Sequence, residues 1–314
     1  MAYSATREGL PTGFVYRRGS FGPSDMSVSV LGFGGSEIGY ERASPSSVSK
    51  LLNGALDAGL NVVDTAECYV TSEELIGKAI GGRRADYYLF TKCGHERGWS
   101  YPDWRPASLW RSIERSLSRL KTDHVDLLQL HSCSEAELRK GDVIEFLKRA
   151  RERGHTRYIG YSGDSIAALY AVNCGEFDAL QTSINIADQE ALDLTLPAAR
   201  QRNMGAIAKR PLANVAWANG DRPPRDGYGY PYWQRLQKLK YDFLRGDLDR
   251  SAATALRFVL SVPGVHTAIV GTAKPGRFSQ NAEALGAGAL PGDIFESIRD
   301  RWRAVASLDW VGQV

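Results

Sequence analysis

The chain has little of what marks a specialised class of protein. Among its 314 residues are only 4 cysteines, Cys68, Cys93, Cys133 and Cys174, and no two of them form a C-x-x-C pair. That spacing argues against a structural zinc site and fits reduced thiols, so no metal is expected. Net charge is also small, +3 at pH 7, with Lys and Arg scattered in doublets such as Arg17-Arg18 and Arg83-Arg84 rather than gathered in a run. A solvated surface accounts for them, and no nucleic-acid partner is expected. No apolar run is long enough to span a bilayer, and the first twenty or so residues lack the apolar stretch of a secretory signal. The expectation is a cytoplasmic protein with no membrane partner. A dinucleotide-binding fingerprint is missing too: in GFGGSE (32–37), Glu37 stands where the third glycine of G-x-G-x-x-G belongs. No linker rich in Pro, Ser or Gly divides the chain, so residues 1–314 read as a single domain.

What is present is an alternation. With 43% hydrophobic and 24% charged residues, the chain has the composition of an ordinary soluble globular protein, large enough to bury a core without staples. Short apolar runs fall at 28–35, 61–66, 87–94, 125–132, 157–163, 178–185, 205–211 and 266–272. They are near-continuous, as strands are when both faces of a parallel sheet are covered. Helical patterns lie between them. Ser44 reads as an N-cap, Pro45 as the first helical residue and Gly59 as the terminating glycine. Ser72-Glu73-Glu74 opens another helix with acid in its first turn, and Pro106 a third with Leu109, Ile113, Leu117 and Leu120 on one face. Further helices are expected near 143–153, 189–203, 252–262 and 293–306. Eight strand–helix units predict an α/β fold, a (β/α)8 TIM barrel; the runner-up is a doubly wound sheet. Residues 213–247, rich in aromatics and glycine, are expected as a long loop with a little helix after the seventh barrel strand.

In such a barrel the active site lies at the C-terminal ends of the strands. Asp64, Lys92 and His131 each interrupt an apolar run at such an end, and Tyr69 follows Asp64 by five residues in the next loop. Singly, each has a plain structural role: a helix cap, a surface lysine, a satisfied histidine. Together they suit the reduction of a carbonyl, which leaves an alkoxide to be protonated. The Tyr69 phenol can donate that proton, although its ordinary pKa is about 10. A lysine ammonium nearby is expected to lower it, with Asp64 holding Lys92 and His131 orienting the substrate oxygen. His95, His124, His155 and His266 find no such company and read as structural or exposed.

These residues resemble the aldo-keto reductase family. GLNVVDTAECYVTSEELIGKAI (59–80) looks like its signature, FTKCG (90–94) its lysine strand and VDLLQLHS (125–132) its histidine strand. YRR (16–18) followed by VSVLGFGG resembles its opening hairpin and first strand. IGYSG, QTSIN, KRPLAN and IVGTAKPGRFSQN follow in order, so the resemblance spans roughly residues 14–310. It implies NADPH/NADP+, with NADH possible, bound extended across the barrel, and a small-molecule carbonyl or alcohol as substrate. By the same resemblance Tyr69 takes the proton-donor place, with Asp64, Lys92 and His131 as partners. Ser162 and Gln181 fall where the nicotinamide carboxamide is held, and Leu212 in the loop that receives the pyrophosphate. Gly271, Thr272, Lys274, Arg277, Gln280 and Asn281 fall on the adenosine segment, where Lys274 and Arg277 suit a 2′-phosphate.

Two departures stand out. Gly163 replaces the asparagine usual after the serine, so a carboxamide contact is lost or passed to Asp164. Lys209-Arg210 replaces an aromatic residue that stacks on the nicotinamide, and Arg210 is expected to reach the pyrophosphate instead. Trp99 and Trp217 are candidate substrate-binding residues among many aromatics, favouring aromatic or apolar carbonyls unless these rings only secure loops. Two other functions fit the sequence: a Schiff-base lyase with Lys92 as nucleophile, and a nicotinamide-binding sensor or channel-associated subunit with little turnover. Cys68, Cys93 and Cys133 adjoin the candidate residues; they read as buried, inert thiols, with redox control as the alternative.

Overall fold

The computed structural model describes residues 18–225 and 227–313, and in it eight parallel strands close into a barrel. Two short strands come first, β1 (Arg18–Ser20) and β2 (Ser27–Ser29), which pair antiparallel as a hairpin. The barrel consists of β3 (Leu31–Gly34), β4 (Val62–Asp64), β5 (Tyr88–Cys93), β6 (Val125–His131), β7 (Thr156–Ser162), β8 (Ala179–Ser183), β9 (Gly205–Lys209) and β10 (Thr267–Gly271). Each lies beside its neighbour in sequence, and β10 pairs with both β9 and β3 to complete the ring. This is the (β/α)8 barrel expected from the alternating pattern. β6 and β8 are buried at every position, which is why their runs carry no hydrophobic–polar alternation.

The apolar run at 28–35 is not one strand but two. The backbone N–H of Ser29 donates to Oδ1 of Asn61 (2.7 Å) and its hydroxyl to the Leu31 carbonyl (2.8 Å), so the chain leaves the hairpin and enters the barrel there. Of the expected hairpin, Tyr16 and Arg17 lie outside the described residues. The rest closes the N-terminal end of the barrel: Phe21, Met26 and Val28 are buried against Val62, Phe90, Leu127, Ala179 and Ile207. A Cβ on Gly205 would stand 2.4 Å from the Phe21 ring, so the start of β9 needs a glycine for that plug to seat.

The helices wrap the outside. Oγ of Ser44 accepts from the Ser47 N–H (3.2 Å) with Pro45 at the first turn, and Gly59 beyond the end has φ 101°, as the capping pattern implies. The helix Pro106–Leu120 buries Leu109, Ile113, Leu117 and Leu120. The pattern at 189–203 divides into Glu190–Leu194 and Leu196–Gln201, because Pro197 has no N–H to continue the ladder and instead occupies the first turn of the second helix. The stretch 213–247 is more ordered than its composition suggests. It holds a 3₁₀ segment Ala213–Asn219, the ten-residue helix Tyr230–Leu239 and a further 3₁₀ turn Asp242–Arg245. Tyr232, Leu236 and Leu239 are buried, each such side chain contributing roughly 1.5–3 kcal/mol, which anchors the helix to the barrel.

Candidate active site

The C-terminal strand ends bring buried polar side chains together through register. Asp64 lies opposite Phe90, Lys92 opposite Gln129, His131 opposite Ser162, and Ser162 opposite Gln181. Nζ of Lys92 donates to Oδ1 of Asp64 (2.5 Å) and to the Thr65 carbonyl (2.8 Å). Oδ2 of Asp64 accepts from the amides of Gln181 (2.9 Å) and Gln129 (3.4 Å), and Oε1 of Gln181 accepts from the Ser162 hydroxyl (2.8 Å). Ser162, Gln181, Asp64 and Lys92 are thus one hydrogen-bonded chain, none more than 1% exposed. Burial pushes the Asp64 carboxyl up from its ordinary value, while the Lys92 ammonium and the two amides pull it down.

Tyr69 hangs over this chain in the loop after β4, half-buried. Its carbonyl accepts from the Ser72 N–H (2.9 Å) and comes so close to Gly39 that a Cβ there would stand 2.0 Å from it. The residue after it, Val70, has φ 51°, a costly conformation for a β-branched side chain. The Tyr69 ring lies 5.1 Å from Nζ of Lys92, 5.7 Å from the His131 ring at 80°, and 6.0 Å from the Tyr40 ring. Its phenol is held well above the usual tyrosine value, by burial first and then by Asp64, Cys68 and Tyr228, with Arg210 opposing. The lowering expected from Lys92 is not seen. Asp64 neutralises that ammonium, and a carboxylate so near disfavours a phenolate.

His131 ends β6 with its imidazole pushed well below the ordinary value, by burial and then by Lys92, His95, Lys209 and Arg210, so it is neutral at pH 7. Its Nδ1 lies 3.6 Å from Sγ of Cys68. Burial pushes the Cys68 and Cys133 thiols up to about 12 and Cys93 well above its ordinary value, the opposite of what a reactive thiolate requires.

The first of the two departures has a steric cause. A Cβ on Gly163 would stand 2.6–2.8 Å from the Tyr161 ring, whose hydroxyl donates to the Cys133 carbonyl (2.7 Å), so an asparagine does not fit. Beside it, Asp164 accepts from Nζ of Lys209 (2.8 Å), Oγ1 of Thr182 (2.8 Å) and the Ser183 N–H (2.7 Å). Burial raises the Asp164 carboxyl, but Lys209 and the hydrogen bonds outweigh it and hold it below its ordinary value. Arg210, at φ 55°, donates from Nε to the Tyr228 hydroxyl (2.8 Å) and from Nη1 to the Gln313 carbonyl, and its guanidinium lies 4.9 Å from the Tyr228 ring centroid.

The other expected residues are spread more widely. Leu212 precedes Ala213, Asn214 and Val215, all at positive φ. Gly271 ends β10 opposite Gly34, and the space a side chain would take there is filled by the Glu37 carboxylate. Oγ1 of Thr272 accepts from the Lys274 N–H (3.0 Å), ahead of the helix Pro275–Ala284. On that helix Arg277 is exposed and paired with Asp249 (2.9 Å), Gln280 is exposed and Asn281 is buried. Trp99 joins the mouth: it is 39% exposed and meets the His131 ring at 4.9 Å. Trp217 is buried as part of the hydrophobic core. One residue of this site is not singled out by its sequence pattern. His95 stacks on Trp99 at 4.5 Å and meets His131 edge-on at 5.4 Å. Its position three residues after Lys92, in the loop leaving β5, is the only signal of it in the sequence.

Comparison with known proteins matches residues 30–302 to the model of the Aldo/keto reductase family. The chain is 26% identical over 282 residues to an L-galactose dehydrogenase of Arabidopsis thaliana, covering 85% of this chain and 87% of that protein. It is 27% identical over 297 residues to a D-threo-aldose 1-dehydrogenase of Pseudomonas sp, covering 82% and 89%. The solved holo structure of aldo-keto reductase AKR11C1 from Bacillus halodurans superposes with a TM-score of 0.76 at 26% identity, covering 94% of this chain and 99% of that one.

Proposed function

The chain belongs to the aldo/keto reductase family of oxidoreductases, and from that premise we propose that it interconverts aldehydes or ketones and alcohols using NADPH, with Tyr69 as general acid and base. The observation that carries this reading is the Tyr69 phenol at the barrel mouth, flanked by the buried Asp64–Lys92 pair and the neutral His131 imidazole. The polar groups suit a nicotinamide dinucleotide. Oγ of Ser162 and Oε1 of Gln181 keep acceptor lone pairs for a carboxamide, Arg210 offers a guanidinium to a pyrophosphate, and Lys274 with Arg277 favours a 2′-phosphate. When bound, the nicotinamide supplies or accepts the hydride.

The residues of the chain do the rest. A phenol above its usual pKa keeps its proton on Oη at neutral pH and is ready to protonate an oxygen that gains charge. A neutral imidazole orients that oxygen by donating a hydrogen bond without giving up its proton. The Asp64–Lys92 pair fixes a cation beside the phenol ring. Trp99, with Tyr40, Tyr101 and Tyr228 exposed nearby, offers flat apolar surface, which suits aromatic or apolar carbonyls. The sugar substrates named by two relatives make sugars the comparison class.

A Schiff-base role for Lys92 is disfavoured, since a nucleophilic lysine must be unprotonated and this one is held by a carboxylate at 2.5 Å. The test is a titration with NADPH and with NADH, followed by tryptophan fluorescence, then a screen of benzaldehyde-like and sugar carbonyls for loss of nicotinamide absorbance. Failure to bind either cofactor refutes the proposal. Binding without turnover of any carbonyl favours the sensor reading. Trp99→Ala that lowers kcat/KM equally for both substrate classes removes the aromatic preference.

A further inference from the structure

His95 is 5% exposed and fastened on three sides. Its backbone N–H donates to Oε1 of Glu67 (2.7 Å), Nδ1 lies 2.8 Å from the Trp99 carbonyl oxygen, and Nε2 lies 2.8 Å from the His131 carbonyl oxygen. A carbonyl oxygen only accepts, and a neutral imidazole has one N–H. Both contacts are hydrogen bonds at the same time only when both ring nitrogens carry protons. In a neutral ring one bare nitrogen would face an oxygen lone pair at 2.8 Å. The stacking points the same way, because the ring lies parallel to the Trp99 indole (11°, 4.5 Å), where a cation gains from the indole face.

The charged and titratable neighbours come from each surrounding element. Glu67, from the loop after β4, presents its carboxylate to the His95 N–H and is itself held by Ser112 and by Arg115 (3.0 Å) of the helix Pro106–Leu120. Glu96 follows in the same loop, held by Ser108 (2.6 Å), Arg111 (3.1 Å) and Arg115 (3.8 Å). Asp103 pairs with Arg105 ahead of that helix, next to Trp104, whose ring meets His95 edge-on. Lys92 precedes His95 on β5, and His131 on β6 is neutral. The loop from β5 to Trp99 bends at two glycines of positive φ, Gly94 (114°) and Gly98 (101°), so its course depends on what fastens it between them.

We propose that His95, as an imidazolium, is the positioning residue that seats the Trp99 indole against His131 and thereby shapes the substrate-facing wall of the barrel mouth. The clasp spans two elements: one ring nitrogen holds the end of β6, the other holds the loop leaving β5. Loss of one ring proton frees one of those carbonyls, so the wall loosens as pH rises. Its functional meaning rests on the carbonyl oxidoreductase reading, but the clasp is tested without turnover.

In the full-length protein labelled with ¹⁵N, the His95 ring signals are identified by their loss in His95→Gln, and both nitrogens are expected to carry protons at about pH 7 because both face carbonyl oxygens at 2.8 Å. A His95 ring with one bare nitrogen at that pH overturns the proposal. Trp99 exposure gives the second readout, as acrylamide quenching with the Trp99→Phe signal subtracted. Quenching is expected to rise between about pH 7 and about pH 9 and to be high and flat in His95→Gln. Equal, pH-independent quenching in wild type and variant overturns it. With an aryl aldehyde as substrate, His95→Gln is expected to lose about tenfold in kcat/KM, mainly through KM, as the removal of one hydrogen bond implies. A protein that shows the protonated clasp and reduces no carbonyl refutes the function proposed above and leaves the clasp standing.

Discussion

Lys92→Met tests the buried ion pair directly. Both side chains of the pair are 1% exposed, with Nζ 2.5 Å from Oδ1. Removing the ammonium leaves Asp64, among the described residues, with only the amides of Gln181 and Gln129 as partners. A carboxylate so placed relieves itself by taking a proton, and that limits the cost. Protonating an aspartate whose ordinary pKa is about 3.9 costs about 1.36 kcal/mol per pH unit above it, hence about 4 kcal/mol at pH 7 and about 1.5 kcal/mol at pH 5. The pH 7 figure matches the roughly 3–5 kcal/mol typical of breaking a buried pair. In the variant the folded-state pKa of Asp64 lies further above its unfolded value, so the folded form binds the extra proton. Stability relative to wild type is therefore regained as pH falls and lost as pH rises above the folded-state value of Asp64 in the wild type, which burial already holds above the ordinary one. Urea unfolding of both proteins at pH 5, 6 and 7 reads this gap. A gap that does not change with pH, or one under about 1 kcal/mol at pH 7, would show that Asp64 is not left as a dry, unpaired carboxylate and would refute the reasoning.

Tyr69→Phe removes only the hydroxyl and is expected to lower kcat by at least about a hundredfold while NADPH affinity, read by fluorescence titration, stays nearly unchanged; comparable turnover would sink the assignment. Gly163→Asn forces a side chain into the Tyr161 ring and is expected to cost about 1–3 kcal/mol of unfolding free energy, with part of the loss recovered when Tyr161→Ala opens the space. No recovery in the double variant would mean that the ring is not the obstacle. Val70→Gly relieves a β-branched residue at φ 51°, and its thermal midpoint is expected not to fall despite the lost side chain. A clear drop would show that Val70 is not strained.

The fold was legible because the barrel strands are mainly apolar runs, several of which end at a polar residue, as β4 does at Asp64, β6 at His131 and β9 at Lys209. Asp64, Lys92 and His131 were found by that interruption alone, and the structure puts all three at the strand ends expected. Periodicity says little about where a chain changes partner. The break at Val30 depends on the long-range bond from Ser29 to Asn61, which no local pattern encodes. The insertion 213–247 looked irregular because its glycines and prolines conceal a helix whose stability comes from burying Tyr232 and Leu236. Charge compensation was also invisible: the residues that would tune Tyr69 could be named, but the sign of the tuning depended on how closely Asp64 holds Lys92. His95 reads only as structural or exposed in the sequence because its partners are main-chain carbonyls, which have no sequence signature.

The run of bonds from Ser162 through Gln181 and Asp64 to Lys92 joins β7, β8, β4 and β5 across the barrel, with Gln181 and Asp64 117 positions apart in sequence. Residues that resemblance assigns to two different ligands therefore form a single thermodynamic unit. Substitutions at its two ends should be epistatic: Ser162→Ala and Lys92→Met, although on strands that do not touch, should fail to add. On the function proposed above, the nicotinamide end and the proton-donating end are not separate modules for anyone redesigning this barrel. A change made to suit a new cofactor will be felt in the acidity of the phenol.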